Sequence, residues 1–252
     1  MIESKDNEKL KLVRKLRDRR KRDREGLFAT EGEDLLEAGL AVGAKPRFVL
    51  VSAGAGIPAG DLPVDVVEEE LLAGASALGS GTRMIAVWPL VWGPAEPAAP
   101  CVYLHAVGDP GNVGTIIRTA HALLDATVAL GPDCADPFGP KATRASMGSI
   151  FARPPVRAVV AATPGPRVAL VAHGGGGVEA LAGAATLCLG AERRGLPDDV
   201  LAACETTATI PLVDAAESLN VAAAAAIGCE RLAAAGGARI SSLAMSEERS
   251  DA

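Results

Sequence analysis

Apolar positions first recur at helical spacing in Lys5–Arg24, where Leu10, Val13 and Leu16 make one thin stripe on a very basic helix. Gly26 ends that helix. Short apolar runs then alternate with helix-length runs. Leu27–Gly32, Phe48–Val51, Val64–Val67 and Met84–Val87 read as strands, and Glu33–Ala41 and Glu68–Leu78 as helices. This alternation predicts a small α/β sandwich. Residues 93–100 carry Pro94, Pro97 and Pro100, which neither donate to a ladder nor continue a helix, so a linker is expected there. Beyond it the strand candidates are Cys101–Ala106, Thr127–Leu130, Arg167–Ala172, Ala185–Leu189 and Thr207–Ile210. Gly114–Leu124, Lys141–Ser149 and Val221–Ala235 read as helices, the last because alanine is the best helix former. Strands apolar on both faces, alternating with helices, predict a mostly parallel sheet covered on both sides. The expected division is a domain over 1–92, a linker over 93–100, a second α/β domain over 101–238 and a flexible tail over 239–252.

Composition narrows the class. Aromatic residues make up only 3% of the chain, so the core must be built from Ala, Val, Leu and Ile. The first 25 residues are charged, which excludes a signal peptide, and no apolar run reaches the roughly 18 residues of a membrane span. A soluble cytoplasmic protein is expected. The five cysteines are scattered without a C-x-x-C pair and read as small buried thiols. His105, His121 and His173 form no ligand-spaced cluster, so no metal is expected. The net charge of −6 conceals an asymmetry: residues 1–25 are about +5 and the remainder about −11. A basic head on an acidic body fits a protein that meets a polyanion through one end. By charge alone, a solvated helix laced with salt bridges fits equally.

Three strand ends carry unusual residues, and in parallel sheets ligands bind beyond the carboxyl ends of strands. DPGNVGTIIRTA (109–120) is a tight loop delivering a helix N-terminus, with Arg118 positioned to point back towards it. LGAERRGLP (189–197) is a second strand end that opens into a small loop with a carboxylate, Glu192. Gly174–Gly177 is a third loop, in which backbone can approach a ligand closely. IPLVDAAESLNVAAAAAI (210–227) turns from strand to helix through Ser218 and Asn220, either of which can cap the helix. A G-x-G-x-x-G after the first strand of either half, a Walker loop and a G-x-S-x-G elbow are all absent, which argues against dinucleotide enzymes, P-loop enzymes and serine hydrolases.

In this order the three motifs resemble those of the SpoU/TrmH family of RNA ribose methyltransferases, and PKATRASMGSIF (140–151) resembles the family's pattern between the first two. The N-terminal half resembles, more loosely, the substrate-binding domain that precedes the catalytic domain in many members. The resemblance implies a trefoil-knotted α/β methyltransferase domain behind a small RNA-binding domain. It also implies a homodimer and transfer of a methyl group from S-adenosylmethionine to a ribose 2′-hydroxyl in ribosomal or transfer RNA. The family's catalytic positions fall on Asn112, Arg118, Glu192, Ser218 and Asn220. Its cofactor loops fall on Ala172, His173, Gly190, Ala191, Glu192, Ile210, Leu212, Ser218 and Leu219, with the apolar ones walling the adenine. RNA contacts are expected from Arg118, from Arg144 in the intervening stretch, and from Arg14, Arg17 and Arg20 in the basic head. Asp214 stands where the third motif usually has glycine, and Ala222 where serine is common. The competing reading, a catalytically idle RNA-binding factor with the same fold, would be supported by loss of Asn112, Arg118, Glu192 or Asn220, and none is lost.

Overall fold

The basic head is two helices, α1 (Glu8–Lys15) and α2 (Arg19–Glu25), rather than the single helix expected. Asp18 makes the break, because its carboxylate accepts from Lys21 N at 3.1 Å and so starts a new helix. The carbonyls left over at the end of α1 are held by Arg22, whose Nη1 donates to Leu16 O at 2.6 Å and Arg17 O at 2.9 Å. Gly26 closes α2 in the left-handed conformation, φ 62°. Leu10, Val13 and Leu16 are buried against Leu27, Phe48, Leu50, Leu72 and Ile85, so the stripe docks the head on the sheet that follows.

The structure is a computed structural model that describes residues 1–58, 60–79, 81–213 and 217–235. After the head come β1 (Leu27–Glu31), α3 (Glu33–Ala41), β2 (Phe48–Ser52), β3 (Val64–Val67), α4 (Glu69–Ala75) and β4 (Met84–Pro89). The four strands form a mixed sheet in the order β1-β4-β2-β3. Residues 93–100 hold neither helix nor strand.

The second half contains β5 (Cys101–Leu104), α5 (Pro110–Leu124), β6 (Thr127–Leu130), α6 (Pro140–Ser146), α7 (Ser149–Ala152) and β7 (Val156–Arg157). It continues through β8 (Arg167–Leu170), β9 (Thr186–Leu189), α8 (Asp198–Ala202), β10 (Thr206–Ala208) and α9 (Val221–Ala235). Every pairing is parallel, in the order β10-β8-β9-β5-β6-β7, so all six carboxyl ends lie along one edge. Ile116, Ile117 and Ala120 of α5 and Ala225, Cys229 and Leu232 of α9 cover one face, against Val102, Leu104 and Leu187. Leu196 and Val200 cover the other, against Tyr103, Ala129 and Cys188. Of the five cysteines, Cys101, Cys188 and Cys229 are buried and Cys134 and Cys204 partly so; burial pushes the Cys101 and Cys229 thiols up to about 12.

The helix expected over Lys141–Ser149 is divided, because Met147 (φ 47°) and Gly148 (φ 87°) are both left-handed. A Cβ on Gly148 would lie 2.3 Å from that of Ala38 in α3, so the break lets the two halves approach. β7, only two residues long, carries too little pattern to be read from the sequence. An aromatic seam joins the halves: Phe28 lies 5.1 Å from Phe138 and Trp88 4.6 Å from Phe151, ring centroid to centroid. Beside the seam the buried Arg22 pairs with Asp136, and Arg144 with Asp34 at 2.7 Å.

Candidate active site

At the central strand's carboxyl end, α5 begins at Pro110, four residues earlier than its apolar pattern indicates. Asp109 is the N-cap, its Oδ1 accepting from Asn112 N at 3.0 Å, and Pro110 takes the first helical position, where no donor is needed. Asn112 therefore stands on the first turn of a rigid helix and not on a mobile loop. Gly114 serves packing: a Cβ there would lie 2.2 Å from Ala142 O of α6.

Three polar side chains from three strand ends meet at this turn. Asn112 Nδ2 donates to Glu192 Oε1. Asn220 Nδ2 donates to Asn112 Oδ1 at 3.2 Å and to Glu192 Oε1 at 3.5 Å. Asn220 also settles which residue caps α9: its Oδ1 accepts from Ala222 N at 2.9 Å and Ala223 N at 3.3 Å, and Ser218 is left as an exposed cavity-lining hydroxyl. Because the cap fixes Oδ1 towards the helix, the amide nitrogen of Asn220 must face the other two residues.

Glu192 also lines a cavity of about 780 Å³ formed by the ends of β8 and β9 and the chain beyond β10. All nine residues expected at the cofactor line it, as do Arg193, Arg194 and Glu217, which were not among those expected there. Gly190 lines the cavity and is also required by the loop itself. A Cβ at 190 would meet the Gly195 carbonyl carbon at 2.1 Å, so glycine lets the 190–195 loop close on itself, with Ala191 and Gly195 exchanging hydrogen bonds of 3.1 and 2.8 Å. Gly174–Gly177, expected to approach a ligand, packs instead on β10: Gly175 N donates to Thr209 Oγ1 at 2.9 Å, and a Cβ on Gly175 would lie 2.7 Å from Ala208 C.

The expected RNA contacts are spread widely. Arg118 is exposed on α5, six residues and about 9 Å along the axis beyond Asn112, and does not join the polar cluster. Among the described residues it makes no hydrogen bond or ion pair. Arg144 is engaged by both carboxylate oxygens of Asp34. Arg14 donates to Lys5 O at 2.9 Å, and Arg17 to Gly74 O at 3.1 Å and Ser76 O at 2.6 Å. Arg20 is exposed. Lys141, not among the expected site residues, reaches Asp109 Oδ2 at 2.7 Å and so lies beside the turn that carries Asn112. With the capped Asn112 amide, it holds the Asp109 carboxyl below the usual aspartate range, the Lys141 hydrogen bond being the larger cause.

The family model described as SpoU rRNA methylase matches residues 99–230, and an MRM3-like substrate-binding domain matches residues 7–86. This chain belongs to the SpoU rRNA methylase family. It is 32% identical over 240 residues, 90% of its length and 96% of the relative's, to the 23S rRNA (guanosine(2553)-2′-O)-methyltransferase RlmP of Bacillus subtilis. A 23S rRNA (uridine(2479)-2′-O)-methyltransferase of Streptomyces viridochromogenes is 34% identical over 131 residues, 46% of each chain. Among solved structures, the SpoU methyltransferase AviRb from Streptomyces viridochromogenes, in complex with AdoMet, superposes with a TM-score of 0.79 at 25% identity, over 90% of this chain and 98% of that one. An AdoMet-bound rRNA methyltransferase from Sinorhizobium meliloti gives 0.78 at 26% identity, over 91% and 95%.

The cavity suits the SpoU cofactor. Its volume lies within the roughly 300–1,000 Å³ of small-molecule sites. It offers apolar walls at Ile210, Leu212 and Leu219, with Arg193, Arg194, Glu192 and Glu217 as polar groups. Of the two departures from the family pattern, Ala222 lies in the first turn of α9 and is buried in the core, and Asp214 lies outside the described residues. Among the described residues no cluster of three or more His, Cys, Asp or Glu could hold a metal ion, and no helix is long and apolar enough to cross a membrane.

Proposed function

We propose that this chain transfers the methyl group of S-adenosylmethionine to a ribose 2′-hydroxyl of ribosomal RNA. The observation that carries this is the joining of Asn112, Glu192 and Asn220 at a cavity that Glu192 itself lines. When bound, S-adenosylmethionine supplies an electrophilic methyl group. The cavity loops hold the cofactor, with Ile210, Leu212 and Leu219 against its adenine, and the chain threads these loops as a trefoil knot. A ribose hydroxyl is a poor nucleophile and must lose its proton as it attacks, so positioning and charge stabilisation are what side chains add. Asn112 and Asn220 orient the ribose beside Glu192. Arg118 stabilises developing oxyanion or phosphate charge.

Two copies form the working enzyme in the cytoplasm. Exposed Leu123 on α5 and Val213 beside the cavity give apolar surface for that contact. Residues 1–92 grip RNA through the basic head, which supplies position rather than sequence. Both named relatives act on 23S rRNA, one at guanosine and one at uridine, which favours large-subunit RNA and a site that reads ribose more than base.

Purified protein, S-adenosylmethionine labelled in its methyl group, and 23S, 16S and transfer RNA transcribed without modifications test the reading. Label is expected in 23S RNA, in alkali-resistant dinucleotides. Absence of label from all three RNAs rejects it.

A further inference from the structure

A second cleft, of about 540 Å³, opens on the same edge of the parallel sheet. It is lined by Arg19 of α2, by Trp92, by Pro132 and Cys134 beyond β6, and by Arg157 and Val159 at the end of β7. The loops ending β5 and β6 are tied together there, with Ala106 N donating to Pro132 O and Ala135 N to Val107 O, both at 2.9 Å. The first of these loops runs directly into Asp109 and Asn112. Since β6 and β7 lie one and two places from β5, the cleft begins roughly 5–10 Å to the side of the strand that delivers Asn112.

Its floor is preordered. The Arg157 guanidinium carbon lies 4.2 Å from the Trp92 ring centroid. Asp23 of α2 reaches Arg157 Nη2 at 3.5 Å and Arg19 Nε at 4.0 Å, so one carboxylate holds two guanidiniums. The Arg157 side chain nevertheless remains 54% exposed. A planar cation fixed on an indole is a stacking platform for an unpaired base. Asp133 also lines the cleft, and its carboxylate repels a phosphate but accepts a hydrogen bond from a base amino group. The chemistry inside therefore favours a base, with the exposed Arg19 at the cleft placed for backbone phosphate.

We propose that this cleft is an RNA subsite, in which the base of a nucleotide close to the methylated one stacks on the Arg157–Trp92 pair. The inference rests on the RNA-methylase reading and adds where the neighbouring strand lies: across the carboxyl edge, from the cofactor cavity towards α2.

The test uses the full chain, unmodified 23S RNA transcribed in vitro and labelled S-adenosylmethionine, with the RNA titrated. Arg157→Ala is expected to raise half-saturating RNA by about tenfold, the size of one lost stacking contact, with kcat and S-adenosylmethionine affinity held. Arg157→Lys keeps the charge but not the plane and is expected to rescue little of the loss. A wild-type RNA titration in Arg157→Ala overturns the subsite. So does full rescue by lysine, which would reduce Arg157 to a point charge. Loss of kcat or of cofactor binding together with RNA affinity also overturns it, by making Arg157 a structural residue. Filter binding of the same RNA separates the two readings: no methyl transfer by wild type, with binding weakened in Arg157→Ala, rejects the methylase and keeps the subsite.

Discussion

Asn220 Nδ2 donates to Asn112 Oδ1 at 3.2 Å, across 108 residues of chain, while the same amide caps α9 through its oxygen. Cap and cluster are thus one structural device, and different substitutions separate them. Asn220→Asp keeps an acceptor for the helix, so thermal unfolding is expected to stay near wild type. It removes the donor and sets a second carboxylate beside Glu192, so methyl transfer should fall on the order of 100-fold. Asn220→Ala should lose both functions, at about 1 kcal/mol of stability. Equal activity in wild type and Asn220→Asp would show that the contact with Asn112 is incidental.

Arg22 and Arg144 both join the two halves but differ in burial. Arg22 is 4% exposed and Asp136 13%, so Arg22→Ala leaves a mostly buried carboxylate unpaired and should cost about 3–5 kcal/mol. Arg144 and Asp34 are both more than 40% exposed, so breaking that pair should cost about 1 kcal/mol or less. Denaturant titration of the two variants checks the order. Asp34→Ala, which leaves Arg144 without its partner, should match Arg144→Ala in stability and in RNA titration if the ion pair is the main role of Arg144.

Gly190→Ala introduces a Cβ 2.1 Å from the Gly195 backbone, too close for the 190–195 loop to keep its closure. The fold should survive, with about 1–3 kcal/mol lost to overpacking. Because Ala191, Glu192, Arg193 and Arg194 all line the cavity, S-adenosylmethionine affinity measured by calorimetry should drop by an order of magnitude or more.

Asp109 predicts a pH signature. Its folded pKa is depressed, first by the Lys141 hydrogen bond and then by the capped Asn112 amide. A depressed carboxylate contributes stability above its unfolded pKa, about 3.9, and that contribution is lost as pH falls through the folded value. Asp109→Asn should therefore be less stable than wild type at pH 7, and the difference should close below about pH 4. Chemical denaturation at pH 7, 5 and in steps below 4 reads this directly; a gap that does not narrow at all as pH falls below 4 assigns the effect to the cap rather than to charge.

Much of this molecule follows from local pattern. The α3 and α9 limits match those read from the sequence, and the parallel sheet follows from strands apolar on both faces. The three motifs identified the family, and the second and third hold most of the residues that line the cavity, because they lie at or just beyond the ends of β9 and β10. Where the structure departs from the sequence pattern, a particular contact decided the matter. Asp18 with Arg22 broke the basic helix, and Ala38 required the left-handed Gly148 that divides Lys141–Ser149. Arg144, expected at RNA, is also paired with Asp34, 110 residues away, a contact that spacing along the chain does not show.

The sequence by itself determined which strand ends carry chemistry, since those residues are contiguous and their types are visible. Only the tertiary structure decided how they are used. It made Asn220 the cap and a donor to Asn112, placed Asp34 against Arg144, and set Arg157 on Trp92 beside Asp23. Hydrogen-bond direction, ion pairing and close backbone packing depend on pairs of residues far apart in the chain, and one-dimensional spacing carries no record of which pairs meet.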